Sequence, residues 1–260
     1  MERTALLERL IPARAPIVWR TATVRDVVEE TSHAKTLVLD VDGWPGHVAG
    51  QHVDVRLTAE DGYQAERSYS IASAPEDPRL ALTIERIDDG EVSPYLADEL
   101  RTGDQFELRG PVGGHFTWRV QDGGPLLLVA GGSGLVPLMA MLRHRAAQRS
   151  TIDTRLLVSA REWDDVLYRD ELSRLAQGAG PPDAINAQYT LTRGQPPGWT
   201  GFDRRIDADM IVAVGPTPAQ QPRIFVCGPT PFVERAADLL VALGHPPGGI
   251  HAERFGPTGG

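Results

Sequence analysis

Pro125-Leu-Leu-Leu-Val-Ala-Gly-Gly-Ser-Gly-Leu-Val-Pro-Leu-Met-Ala-Met-Leu142 is an apolar run on whose reading the fold turns. It is about long enough to cross a bilayer. Gly131-Gly-Ser-Gly134 and Pro137 break its middle, however, and a buried strand, a tight turn and a helix account for it better. On that reading the chain beyond it alternates apolar strands with helical stretches. Strands are expected at 126–130, 153–159, 186–192, 223–227 and 249–255, and helices at 135–148, 169–177, 207–213 and 230–243. This is the signature of a parallel sheet with crossover helices. The proline- and glycine-rich patches at 178–182, 194–201 and 215–222 read as loops.

Upstream the period changes. Residues 1–16 read as a loose lead-in. Trp19–Glu29, Ala34–Val41, Gly50–Leu57, the segment around Arg67, Arg79–Ile87 and Phe106–Arg109 read as six short strands, with Val53, Val55 and Leu57 on one face and Leu80, Leu82 and Ile84 on another. Gly43-Trp-Pro-Gly46 and Asp61-Gly62 are turn chemistry. Gly90–Leu100 predicts one short helix, with Ser93 at its N-cap, Pro94 following and Leu96 and Leu100 inward. Six strands at about ten-residue spacing imply a small antiparallel barrel. The fold class is therefore an antiparallel β-barrel, 17–120, followed by a parallel-sheet α/β domain, 124–256.

Composition narrows the function. The chain has 260 residues and a formal net charge of −9, which argues against a nucleic-acid partner. Residues 1–120 carry 13 basic and 21 acidic side chains, against 13 and 14 in the remainder, so the first half is acidic. With the single cysteine, Cys227, neither an internal disulfide nor a cysteine-ligated iron–sulfur cluster can form within the chain. The seven histidines show no metal-ligand spacing. The first ten residues are too charged for a signal peptide, and a cytoplasmic protein outside the membrane is expected.

Four stretches have the residue types for cofactor chemistry. In Arg67-Ser-Tyr-Ser70, strand alternation puts Arg67 and Tyr69 on one face and Ser68 and Ser70 on the other. A guanidinium grips a pyrophosphate, a phenol stacks on a planar ring, and a hydroxyl meets a ring nitrogen. That set suits a flavin; a half-exposed strand with Arg67 laid along the surface is the plain alternative. Gly132-Ser-Gly134, between strand and helix, offers bare N–H groups and a helix dipole to a phosphate, although Pro137 stands where the dinucleotide fingerprint has its third glycine. Ser159 and Arg161 end the second α/β strand, where a basic group suits the 2′-phosphate of NADP, with Arg193 as a second candidate. Cys227-Gly-Pro229 sits at another strand's carboxyl end. Glu253 and Phe255 share one face of the last strand.

Taken together the set resembles the ferredoxin–NADP reductase family over roughly residues 17–256. Arg67-Ser-Tyr-Ser70 looks like its flavin motif and Gly90-Glu-Val-Ser93 like its pyrophosphate turn. Gly132-Ser-Gly-Leu-Val-Pro137 looks like its nicotinamide pyrophosphate loop, and Cys227-Gly-Pro229 like its nicotinamide-side motif. The resemblance implies FAD rather than FMN, and NADPH with NADH as the alternative. It implies that Arg67 and the turn Gly90, Glu91, Val92, Ser93 hold the flavin pyrophosphate, that Tyr69 stacks on the flavin ring, and that Ser68, Ile84 and Arg86 complete that site. Ser70, Cys227 and Glu253 are then the catalytic residues, with Cys227 beside the nicotinamide ring, Gly228 and Pro229 completing that motif, and Phe255 the candidate to cover the flavin face. The implied reaction passes hydride from NADPH to flavin and electrons onward to an external acceptor, such as an iron–sulfur protein or an oxygenase component. A flavin reductase using diffusible flavin and an electron-transfer subunit of a larger complex are the alternatives. An acidic first half is an awkward dock for an acidic ferredoxin.

Overall fold

The computed structural model describes residues 17–178 and 184–255. The lead-in at 1–16, most of the 178–182 loop and the run after Phe255 lie outside the described residues. Strands β1 (Trp19–Thr31), β2 (Ala34–Val41), β3 (His52–Thr58), β4 (Gln64–Ser70), β5 (Leu80–Glu85) and β6 (Gln105–Val112) form an antiparallel sheet in the order β4-β3-β6-β1-β2-β5. Val53, Val55, Leu80, Leu82 and Ile84 face its interior as the alternation requires. Ala81 and Thr83 on the opposite face of β5 are also buried, because the second sheet's helices pack there.

The two edges of this sheet, β4 and β5, curl toward each other without closing. They join at the Ile71–Leu82 bridge and where Ala72 N–H donates to Ala81 O at 2.8 Å. From Ser70 back to Arg67, and from Thr83 on to Arg86, the two edges share no ladder, leaving an open seam. The short helix differs from expectation. The Ser93 hydroxyl does not cap it but accepts from Ile87 N–H at 3.1 Å, and the segment makes one wide π-type turn, Tyr95–Glu99. Leu96 and Leu100 are buried as expected.

The second sheet is parallel, with β7 (Leu126–Gly131), β8 (Thr154–Ala160), β9 (Asn186–Leu191), β10 (Arg223–Pro229) and β11 (Ile250–Phe255) in the order β11-β10-β7-β8-β9. Helices α1 (Leu135–Ala147) and α2 (Arg169–Gln177) cover one face, and α3 (Ala208–Val214) and α4 (Thr230–Ala242) the other. The winding reverses between β7 and β10, so their carboxyl ends frame the crevice where open α/β sheets bind ligands.

Helix α1 explains the apolar run. It is wedged between the parallel sheet and the first sheet, in one core with Ala49, Ala72, Ala81, Phe116 and Trp118. Leu135 through Leu142 are all buried, so the helix has no polar face for most of its length. Burying each such Leu or Met contributes about 1.5–3 kcal/mol. Among the described residues no helix is long and apolar enough to cross a membrane.

Polar contacts fix the two sheets against each other. Arg143 donates to Ala72 O at 2.8 Å and forks onto Glu171 at 2.6 and 2.9 Å. His144 meets Glu76 at 2.8 Å. Tyr168 donates to Thr83, whose hydroxyl lies 2.7 Å from that of Thr36, which donates to Glu30 at 2.7 Å.

Candidate active site between the two sheets

The sheet geometry brings the predicted catalytic residues onto one line. The β3–β4 hairpin pairs His52 with Ser70, and the β10–β11 pair sets Cys227 beside Glu253. The His52 imidazole and the Glu253 carboxyl then face each other across the two sheets, Nδ1 to Oε1 3.8 Å. Burial pushes Glu253 up to about 7 and holds His52 below the usual imidazole range. Near neutral pH the imidazole is uncharged and the carboxyl only partly protonated, and 3.8 Å is too long for a hydrogen bond. Glu253 Oε2 is buried with no hydrogen-bond partner among the described residues, a polar atom of the kind found where protons are handled. Burial and the neighbouring Glu253 also raise the Cys227 thiol, so it stays protonated. A small, soft, neutral side chain remains at the carboxyl end of β10.

The barrel side of the site is the open seam. Arg67 and Tyr69 are half-buried on one lip, Ser68 is exposed and Ser70 is buried. Burial raises the Tyr69 phenol, which keeps it neutral. Arg67 Nη2 donates to Glu91 Oε2 at 2.7 Å, bringing together the predicted flavin motif and the Gly90–Ser93 turn. The N–H groups of Glu91 and Val92 donate to no acceptor among the described residues. A guanidinium beside bare N–H groups is the donor set an anionic pyrophosphate needs, so these residues fit FAD. Arg86 sits on the other lip, bonded to Asp98 at 2.7 Å and to Asp88. Ile84 is wholly within the barrel core, so any contact it makes with a cofactor is through its main chain.

The nicotinamide-side residues gather in a cleft of about 1030 Å³, lined from the first sheet by residues including Arg86 and from the second by Gly132, Ser133, Ser159, Arg161 and Pro229. Gly134 lies beneath: a Cβ there would stand 2.1 Å from the Cys227 carbonyl oxygen, so only glycine lets the two predicted motifs pack backbone to backbone. Gly132 needs its positive φ of 54° to turn from β7 toward α1. Pro137 is buried in the first turn of α1 and shapes this loop instead of lining the cleft. Arg193 is exposed and is not among the cleft residues, although its N–H bonds Arg161 O at 2.9 Å. Gly228 and Phe255 continue the β10–β11 pairing, with Phe255 beside Pro229.

Sequence reasoning missed His52, Arg205 and Arg235. Counting back from the Asp61-Gly62 turn would have set His52 opposite Ser70. Arg205 and Arg235 also line the cleft, and like Arg161 they have no ion pair among the described residues. Arg235 lies early in α4, within reach of the Pro229 strand end, whereas nothing local marks Arg205.

Comparisons identify the family. The oxidoreductase FAD-binding domain family matches residues 23–118 and the oxidoreductase NAD-binding domain family residues 128–238. A ferredoxin–NADP reductase B of Sorangium cellulosum is 35% identical over 215 residues, covering 80% of this chain and 84% of that protein. The glycine betaine monooxygenase reductase subunit of Pseudomonas aeruginosa is 32% identical over 211 residues, covering 80% of this chain and 56% of that protein. The chain thus spans little more than half the length of that relative. A cytochrome P450 reductase from Amycolatopsis has the same fold, with a TM-score of 0.81 and 26% identity over 95% of this chain and 73% of that one. The chain belongs to the ferredoxin–NADP reductase family, with an FAD-binding and a nicotinamide-binding domain.

Proposed function

We propose that the chain is a flavoprotein reductase that takes electrons from NADPH and hands them to a separate acceptor. The reading divides it into a flavin domain, 17–120, and a nicotinamide domain, 124–256. What carries it is the line from Ser70 through His52 and Glu253 to Cys227, which sets the flavin motif against the nicotinamide motif. Bound FAD would supply the capacity to accept a hydride and release electrons one or two at a time. The protein's part is positional. Arg67 with the N–H groups of Glu91 and Val92 anchors the flavin pyrophosphate, Tyr69 offers its ring, Ser70 and Cys227 flank the reacting region, and Phe255 shields it. Glu253, poised near neutrality, holds or releases a proton there, with His52 as its neighbour. Arg161, Arg205 and Arg235 favour a cofactor with an extra phosphate, hence NADPH over NADH. The acceptor is an iron–sulfur protein or an oxygenase component, and the location cytoplasmic, where reduced nicotinamide cofactors are made.

The test is an absorbance spectrum of the purified chain, followed by anaerobic titration with NADPH and NADH and a ferricyanide assay. Bleaching of a flavin band by NADPH is expected. A folded chain that binds no flavin overturns the reading. One observation favours the alternative of diffusible flavin: Arg67 is already occupied by Glu91. On that alternative the protein purifies colourless and still oxidises NADPH when free flavin is supplied.

A further inference from the structure

The cation on which flavin binding rests is held from within the chain. Arg67 Nη2 donates to Glu91 Oε2 at 2.7 Å, and its Nη1 to the Glu66 carbonyl at 2.7 Å. The other Glu91 oxygen accepts from the Tyr63 hydroxyl at 2.9 Å. Tyr63 itself is pinned in the β3–β4 turn, where its N–H donates to Asp61 Oδ1 at 3.0 Å. The Glu91 carboxylate is therefore steered onto the guanidinium by a second side chain. It also stands in the turn whose unpartnered N–H groups, at Glu91 and Val92, form the remainder of the anion site.

Two anions cannot share one edge of a guanidinium without repelling each other. A phosphate drawn to Arg67 meets the Glu91 carboxylate first. The pair is half in solvent, with side-chain exposures of 35% and 49%, so it adds little to the fold and opens readily. We infer that Glu91 is a built-in competitor for the flavin pyrophosphate: its carboxylate occupies Arg67, must swing away when the dinucleotide binds, and so sets how tightly a phosphate-bearing flavin is held. Tyr63 reinforces it. The inference rests on the reading that Arg67 anchors the flavin pyrophosphate, and it names Glu91 as a specificity determinant between phosphorylated and unphosphorylated flavins.

The experiment titrates FAD and riboflavin into deflavinated protein, following flavin fluorescence at low and high salt. Glu91→Gln is expected to tighten FAD about five- to tenfold and Tyr63→Phe about two- to threefold, with riboflavin unchanged in both. Added salt should narrow the gap between wild type and Glu91→Gln. Glu91→Ala, which removes the carboxylate without adding an amide, must move FAD affinity in the same direction. Unchanged riboflavin binding shows that each variant is folded. FAD affinity that is unaltered or weaker in both Glu91 variants, or riboflavin tightened as much as FAD, overturns the inference while leaving flavin binding intact. Wild-type protein that binds neither flavin overturns the underlying reading as well.

Discussion

The seam side of the first sheet and the cleft of the second treat their arginines in opposite ways. On the antiparallel sheet and its loops Arg25, Arg56, Arg67, Arg79, Arg86 and Arg109 each face a carboxylate. In the cleft of the parallel sheet Arg161, Arg205 and Arg235 have no ion pair among the described residues. Carboxylates of residues 1–120 thus pair locally with cations that would otherwise recruit anions. A phosphate arriving at the seam exchanges with an internal carboxylate, whereas one arriving at the cleft meets three arginines with no ion pair among the described residues. Similar side chains give a self-occupied site in one place and a ready one in the other, and only the neighbours differ.

The strongest way to break this contrast is at Arg67. Arg67→Ala removes the charge-assisted bonds and leaves Glu91 facing the pyrophosphate alone, so FAD affinity should fall on the order of 30- to 100-fold by fluorescence titration. An unchanged affinity would move the anion site away from the seam.

Between the two regions stands Glu253, raised to about 7 by burial. A folded-state value above the unfolded one means that its contribution to stability is full below about 4.5 and is lost as pH rises through about 7. Unfolding free energy of the wild type should therefore drop by roughly 2–3 kcal/mol between about pH 5 and 8 on account of this group. Glu253→Gln should flatten that part of the profile in denaturant titrations. A variant that keeps the full slope would place the titration elsewhere.

The cleft is sharpened by Arg161→Ala, expected to raise the KM for NADPH about tenfold while leaving NADH nearly unchanged. Equal effects on both cofactors would remove the case for NADPH. The smallest effect belongs to the join between the sheets. Tyr168→Phe deletes one buried hydrogen bond to Thr83 and should cost about 1 kcal/mol, read as a lowered Tm, without altering flavin affinity.

Much of the molecule was legible in the chain because it is written in short-range patterns. Period-two alternation located the six strands of the first sheet, and the apolar runs ending in glycine located β7 and β10 with their helices. Gly134 shows why a motif can be legible and its reason hidden: the residue is visible, but the Cys227 carbonyl it admits lies on another strand. The Ser93 cap was misjudged because its hydroxyl is claimed by Ile87, a partner supplied by the fold of the preceding turn. Arg193 was placed in the site from its position at a strand end, and the direction of its loop left it outside the cleft.

The sequence by itself determined the two-sheet architecture, the order of the motifs and the family, since each depends on residues close together in the chain. Tertiary structure alone decided that His52 faces Glu253, that Glu91 occupies Arg67, and that three arginines of the cleft have no ion pair among the described residues. Those outcomes depend on which surfaces meet when α1 is buried between the sheets, and on how far burial shifts a carboxyl group; neither is encoded in any local stretch.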